Sequence, residues 1–329
     1  MNDHVRVYVP GKRDPRVVAI GGGHGLSAML RGLKRYTKNI TAIVTVADDG
    51  GGSGMLREDL GMLPPGDIRN CILALADMEP TMDKLLNYRF TEGSLAGQSF
   101  GNLFLAAMNG ISGSFDEAVH RMCDVLAITG KVLPVTNCNV HLEAEFANGS
   151  RCLGESKIFY AKKTNNSRIT QVRLVPENPA ALPESLQAIA EADLIIIGPG
   201  SLYTSIIPNF LVDGISQAVA DSHARKILIM NIMTQDGETE GYSGSDHVTA
   251  LLEHAQPGIV DTCIANNAVI SEERLVPYRE EGVEPIELDR AAIEAMGIVV
   301  RTYPLATGTR YIRHDSDRLA AAIMEVYHQ

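Results

Sequence analysis

The order of apolar and polar positions changes period several times along the chain, and each change marks an element. Arg16-Val17-Val18-Ala19-Ile20 is a short apolar run of the kind found in strands buried on both faces. Gly21-Gly22-Gly23-His24-Gly25 follows without a break. From there the apolar residues fall at Leu26, Met29, Leu30 and Leu33, which is helical spacing. Residues 40–47 read as a second buried strand, ending in Asp48-Asp49-Gly50-Gly51-Gly52-Ser53-Gly54. Pro64-Pro65-Gly66-Asp67 then stops one segment and starts another, with Asp67 placed to cap a helix over 68–76.

Between 80 and 130 there is no run of strand type. Helical spacing fits 81–88, 102–108 and 115–126, which predicts a helical insert. Over 132–175 the period switches to two. Val140, Leu142, Ala144 and Phe146 alternate with polar residues, and Asn148-Gly149 is a two-residue hairpin signal, so a small antiparallel β element is expected. Strand and helix patterns alternate again from 188. Leu194-Ile195-Ile196-Ile197 runs into Gly198-Pro199-Gly200-Ser201-Leu202-Tyr203-Thr204-Ser205, and further strands are expected at 226–231, 259–265 and 298–301. Strands alternating with helices imply an α/β, Rossmann-like, mainly parallel sheet with right-handed crossovers. Residues 1–15, polar and holding Pro10 and Pro15, read as a loose arm, and 16–329 as a single α/β domain. Ligands of such sheets bind beyond the strand C-terminal ends. The loops at 21–25, 48–54, 200–205 and 231–235 are therefore expected to converge on one crevice.

Composition narrows the partners. In 329 residues, 40 acidic side chains against 29 basic ones leave a net charge of −11, and there is no Trp. That argues against a nucleic-acid binder, which needs a basic surface, while leaving room for a local phosphate pocket. The five cysteines lack Cys-x-x-Cys spacing and read as free thiols. No apolar run is long enough to span a bilayer, and the N-terminus has no apolar signal core, so a cytoplasmic protein is expected.

The candidate chemistry lies in the two glycine turns. A glycine turn between strand and helix lets a phosphate approach the backbone and meet free amides. Gly23-x-Gly25-x-x-Ala28 fits the relaxed dinucleotide pattern, and Asp48 and Asp49 stand at the tip of the next strand, where they could hold a ribose, a metal ion or a proton. The plain alternatives are a tight turn without ligand and a solvated acidic loop. His24 is either a phosphate donor or an exposed loop histidine, and Asp67 and Arg69 serve either function or capping. No side-chain arrangement for hydride transfer stands out, and His247, His254 and His314 lack zinc-ligand spacing.

The strings Ala42-Ile43-Val44-Thr45-Val46-Ala47-Asp48-Asp49-Gly50-Gly51, Pro64-Pro65-Gly66-Asp67-Ile68-Arg69-Asn70, Gly198-Pro199-Gly200-Ser201-Leu202-Tyr203-Thr204-Ser205 and Asn231-Ile232-Met233-Thr234-Gln235 closely resemble the YvcK-type gluconeogenesis-factor family. The resemblance runs from about residue 16 to the C-terminus. The same CofD-like superfamily holds the 2-phospho-L-lactate transferases. What the resemblance implies is a Rossmann-like cytoplasmic regulator that binds a sugar nucleotide, UDP-N-acetylglucosamine, and serves growth and cell shape on gluconeogenic carbon sources. Carried over by position, the ligand-binding residues are Gly21, Gly22, Gly23, His24, Gly25, Asp48, Asp49, Gly200, Ser201, Leu202, Tyr203, Thr204, Asn231, Thr234, Tyr278 and Arg313. The family usually has Thr at the position of His24, His at that of Gln98, and a phosphorylatable Thr at that of Ser316. Losing the histidine removes a candidate acid or base.

Two functions from different classes follow. One is a non-catalytic sensor that passes its ligand state to a partner, an enzyme of amino-sugar synthesis, and forms a homo-oligomer. The alternative is a CofD-like transferase moving a phospho-lactyl type group, with Asp48 or Asp49 as candidate catalytic residues and magnesium as its metal. NAD and GDP are the other nucleotides to weigh. On either reading, Gly23→Val and Gly25→Val are expected to block the phosphate and leave the fold intact.

Overall fold

The computed structural model describes residues 14–308 and 311–329, so most of the expected N-terminal arm lies outside the described residues. The expected strands form, with shifted boundaries, and Lys131–Pro134, whose residues from 132 on are expected in the antiparallel element, instead joins the parallel sheet. They are β1 (Val17–Gly21), β2 (Ile40–Val44), β3 (Lys131–Pro134), β4 (His141–Phe146), β5 (Arg151–Leu153), β6 (Ile169–Val175), β7 (Leu194–Ile197), β8 (Arg225–Ile229), β9 (Thr262–Asn266) and β10 (Val299–Tyr303). Seven of them make one sheet in the order β10-β9-β8-β7-β1-β2-β3. Every neighbouring pair is parallel. Helices pack on the sheet, and the fold is α/β and Rossmann-like. β9 starts later than its apolar run because Asp261 is spent at the ladder's edge, where its carboxylate takes the Lys226 amide at 2.9 Å.

The strand order has one reversal. From β1 the chain moves outward to β2 and β3, then returns to the other flank of β1 with β7. Such a switch point opens a crevice beyond the strand C-terminal ends. The glycine turns that follow β1 and β7 both end here. α1 (Gly23–Leu33) leaves the first turn, α2 (Gly51–Leu60) follows the acidic loop after β2, and α3 (Gly66–Leu75) comes next. Helices Pro80–Asn87, Phe100–Gly110 and Phe115–Val125 occupy the span before β3. Ser99 caps the second of these by accepting the Asn102 amide.

The antiparallel element is a three-stranded sheet in the order β5-β4-β6, with helix Glu155–Asn165 between β5 and β6 in sequence. Its turn is longer than the two-residue form that Asn148-Gly149 suggested. The Phe146 amide donates to the Ser150 carbonyl at 2.9 Å, and Gly149 supplies the left-handed residue at φ +79°.

The C-terminal segment folds back over α1. A short antiparallel pair, Ala306–Thr307 with Arg313–His314, precedes helix Ser316–His328. That helix lies along α1, where Arg35 pairs with Asp317. A Cβ at Gly32 would stand 2.0 Å from the Ser316 carbonyl oxygen, so only glycine admits this approach. Gly32→Ala must displace the start of the C-terminal helix, at the ~1–3 kcal/mol typical of overpacking. The expected outcome is a lower melting temperature, checked by thermal denaturation against an Arg31→Ala control on the same helix.

Candidate functional site

The two glycine turns meet backbone to backbone. A Cβ on Gly25 would lie 2.8 Å from the Pro199 carbonyl oxygen and 3.3 Å from the Gly200 amide nitrogen. The Asn209 side-chain amide, fully buried, donates to Gly21 O at 3.2 Å and Ser205 O at 2.8 Å, which ties the second turn to the end of β1. Asn231, just past β8, holds Gly200 from both sides. Its Nδ2 donates to Gly200 O at 2.7 Å, and its Oδ1 accepts from Gly200 N at 3.3 Å.

A cleft of about 390 Å³ opens above this junction. Its walls are Gly23, His24 and Gly25 from the first turn, Gly200, Ser201 and Ser205 from the second, residues 231–235, and Arg313 with its neighbours. Arg313 reaches the cleft on the short strand pair that the C-terminal helix anchors. Its guanidinium lies 5.7 Å from the Tyr311 ring centroid, and among the described residues no ion pair is formed by it. Tyr278 does not line this cleft. Its hydroxyl accepts the Ile312 amide at 2.6 Å and so fixes the backbone next to Arg313. His314, on the same strand, is half-buried and contacts the Met230 carbonyl at 3.2 Å, and desolvation pushes its pKa down to about 4, which keeps it neutral. His24 sits at the cleft with its pKa lowered, first by partial desolvation and then by Arg313, Arg69 and Arg31. The cleft is thus a local cationic patch on an acidic protein.

Other sequence candidates point elsewhere. Leu202 and Tyr203 are in the core, and the Tyr203 hydroxyl meets that of Tyr242 at 2.9 Å. The Tyr203 amide and the Thr204 hydroxyl, expected as anion donors, are spent on Glu238, at 3.2 and 2.8 Å. Thr234 lines the cleft, while its hydroxyl accepts the Glu284 amide at 3.0 Å. Asp48 and Asp49 diverge. Asp48 turns back to its own loop, accepting the Gly50 amide at 2.9 Å, while Asp49 accepts the Ser156 amide at 2.8 Å at the start of helix Glu155–Asn165. Asp67 is not a helix cap, because α3 begins at Gly66 and its N-cap position is Pro65. The Asp67 carboxylate instead takes the Gly23 amide, and it crowds Gly22, where a Cβ would fall 2.7 Å from Oδ2.

These carboxylates form an acidic basin beside the cationic cleft. Burial, then the neighbouring Asp48, raises Asp67 to about 6. Burial raises Asp48 as well, against hydrogen bonds from Gly50 and Ser53. Glu155 rises to about 8, through burial and then the charges of Asp48, Glu238, Asp49 and Asp67. Glu238 rises to about 7 through burial, despite its hydrogen bonds from Thr204 and Tyr203. Among the described residues, no group of three His, Cys, Asp or Glu side chains is arranged to hold a metal ion. Sequence reasoning missed Glu155, Glu238 and Asn209. Nothing local marks their partners at Asp48, Tyr203 and Gly21, which lie far away in the chain.

The family described as 2-phospho-L-lactate transferase CofD matches residues 17–306. A relative from Thermoanaerobacterium thermosulfurigenes is 57% identical over 94% of this chain and 96% of its own. The protein of Bacillus subtilis named gluconeogenesis factor is 47% identical over 95% of this chain and 98% of its own. The crystal structure of a UPF0052-family protein from Bacillus halodurans superposes with a TM-score of 0.92 at 44% identity, covering 95% of this chain and 100% of that one.

Two outcomes test this geometry. Contrary to the expectation from sequence, Gly25→Val is not neutral for the fold, because its side chain meets the Pro199 backbone. Gly25→Ala should already cost about 1–3 kcal/mol in urea unfolding, whereas Gly23→Ala makes only an ordinary contact, 3.6 Å to Ser205 Oγ, and bears the ~1–2 kcal/mol strain of φ +69°. The second outcome concerns pH. Glu238 and Glu155 have folded pKa values above the unfolded value of ~4.3, so the folded state holds extra protons and stability falls as pH rises through their titration. Neutral His314 acts in the opposite sense, but only below about pH 6.5, the unfolded value for histidine. Stability should therefore fall between about pH 6.5 and 8, and Glu155→Gln should flatten that slope in urea titrations across the window.

Proposed function

This chain belongs to the gluconeogenesis-factor branch of the CofD family, and on that premise we propose that it binds a nucleoside diphosphate sugar, UDP-N-acetylglucosamine, as a sensor without turnover. The observation that carries the reading is the meeting of two glycine turns at the strand switch point, with Arg313 across the cleft from them. Free amides and a fork of guanidinium donors suit a diphosphate, which a lysine ammonium would hold less specifically. The hydroxyls of Ser201 and Ser205 add neutral donors in the same cleft. In this reading the protein works in the cytoplasm as a homo-oligomer. It passes its ligand state to an enzyme of amino-sugar synthesis and so supports growth and cell shape on gluconeogenic carbon.

One observation favours a second reading, group transfer. Carboxylates with raised pKa beside a phosphate site are placed to accept a proton from an attacking hydroxyl. Asp48 and Asp67 have that character. Calorimetry with UDP-N-acetylglucosamine, NAD and GDP, each with and without magnesium, separates the readings. Metal-free binding of the UDP-sugar with no product supports the sensor. A magnesium-dependent product that is lost in Asp48→Asn replaces it with the transferase.

Arg313 gives the sharpest test of the site. It forms no ion pair among the described residues, since Asp317 pairs with Arg35 and Asp315 is taken by the backbone amides of Asp317 and Arg318. Arg313→Ala should weaken UDP-sugar binding by ~1.5–3 kcal/mol, the range for a hydrogen bond to a charged group. The melting temperature of the free protein should stay nearly unchanged. Calorimetry read beside a thermal melt checks both halves of this expectation.

A further inference from the structure

The longest strand of the small sheet, β6, lies at that sheet's edge, since the order is β5-β4-β6. The alternation of an antiparallel ladder decides which of its backbone groups face outward. On β4, the Leu142 carbonyl accepts the Gly154 amide at 2.8 Å and the Phe146 amide donates to the Ser150 carbonyl at 2.9 Å, so residues 142, 144 and 146 turn toward β5. Glu143 and Glu145 therefore turn toward β6, where they stand opposite Arg173 and Gln171 and hold the ladder. Val172 and Leu174 alternate with these residues and turn their amide and carbonyl groups away from β4.

Along this outer side runs a groove of about 490 Å³. Its far wall is Phe210, Leu211 and the end of helix Gly244–Glu253 with the residues that follow. One outward amide is covered. Val172 N–H donates to His254 Nε2 at 3.0 Å, while His254 Nδ1 donates to Ala250 O at 2.7 Å. The Leu174 amide and carbonyl and the Val172 carbonyl have no hydrogen-bond partner among the described residues. A sheet edge is usually blunted by lysine, proline or a covering element, and β6 contains neither lysine nor proline. The rim of the groove carries charge of one sign. Glu177 and Glu253 are exposed and form no ion pair among the described residues, whereas Arg173, the one arginine or lysine lining the groove, is held by Glu143.

We propose that the β6 edge docks an extended, basic segment of a partner protein, which adds to the small sheet as a fourth strand. An antiparallel segment exchanges both backbone hydrogen bonds with Leu174, and its lysine or arginine side chains meet Glu177 and Glu253. The His254 ring occupies the place from which a strand carbonyl would reach the Val172 amide, so pairing stops there unless the ring turns aside. The edge is also joined to the second glycine turn. The Ile169 carbonyl, at the start of β6, lies 3.3 Å from the Tyr203 hydroxyl and 3.4 Å from that of Tyr242, and accepts a hydrogen bond from this pair. The Tyr203 and His254 rings stand edge to face with centroids 6.0 Å apart. Docking through this edge supplies the partner contact of the sensor reading above and is itself independent of the ligand.

The probe is a fluorescent peptide of about eight residues that alternates lysine with valine, titrated into the full chain by anisotropy beside a copy N-methylated along one edge. The plain peptide should bind, and the methylated copy should bind at least about tenfold more weakly, because it lacks the main-chain donors. Amide exchange read by NMR should slow at Leu174 when the plain peptide is added. Glu177→Lys with Glu253→Lys should weaken the peptide to a similar extent, while the equal charge change Glu58→Lys with Asp59→Lys, at the exposed end of α2, should leave it close to wild type. All four side chains are exposed, and thermal melts check the fold. No binding overturns the proposal. So does binding that leaves Leu174 exchange unchanged or that both double variants weaken equally, since that is adhesion to an acidic surface. A concentration-dependent dimer whose Leu174 amide is protected without peptide gives the edge to a second copy and overturns the partner. Calorimetry with UDP-N-acetylglucosamine on the same variants reports on the sugar-nucleotide reading separately.

Discussion

Everything at the crevice depends on one steric constraint, the contact between the backbones of two glycine turns. Parallel strands lie about 4.7–4.9 Å apart, so the turns that leave β1 and β7 have no room for side chains between them. Gly25 faces the Pro199 carbonyl, and Gly22 is pressed by Asp67 and Thr45. Glycine at these points lets polar backbone groups of both turns open toward one space. Asn209 and Asn231 then stiffen the arrangement by taking carbonyls that the turns leave over. The pre-organisation comes from the amide side chains of buried Asn209 and half-buried Asn231 rather than from the turns alone.

Around this junction, opposite charges are interleaved. Arg31, Arg69 and Arg313 act on His24, Arg69 and Arg57 also act on Asp67 and Asp48, and Asp48, Asp67, Glu155 and Glu238 crowd one another. Burial penalises every charged form, and like charges add to the penalty on the acid side. Asp67, Glu155 and Glu238 are therefore raised to about 6, 8 and 7, where an ordinary carboxylate would be fully ionised, and Asp48 is raised as well. The same crowding makes this side of the crevice costly to maintain without a ligand, as at many functional sites.

The sheet was legible in the sequence because most of its strands are short runs of β-branched and aliphatic residues, with β1 and β7 closed by glycine. Leu194-Ile195-Ile196-Ile197 before Gly198 is the clearest case. The convergence of the 21–25 and 200–205 loops followed from parallel topology alone. What could not be read was the direction of side chains within the loops. Asp48 and Asp49 are neighbours, yet they serve different elements, because successive residues of an extended chain point opposite ways. The donors of Tyr203 and Thr204 looked free only because Glu238, more than thirty residues on, is invisible to local pattern. The Asp67 cap failed for a similar reason, since its partner amide is on Gly23 rather than in its own helix.

The cationic patch belongs to a chain of net charge −11, and this has a kinetic consequence. An anionic ligand meets the repulsive field of the whole molecule before it meets the guanidinium groups, whose reach in physiological salt is about 8 Å. Added salt weakens the distant repulsion and the close attraction together. Ionic strength therefore raises the rate of capture and the rate of escape in the same direction, so that response time changes more than occupancy does.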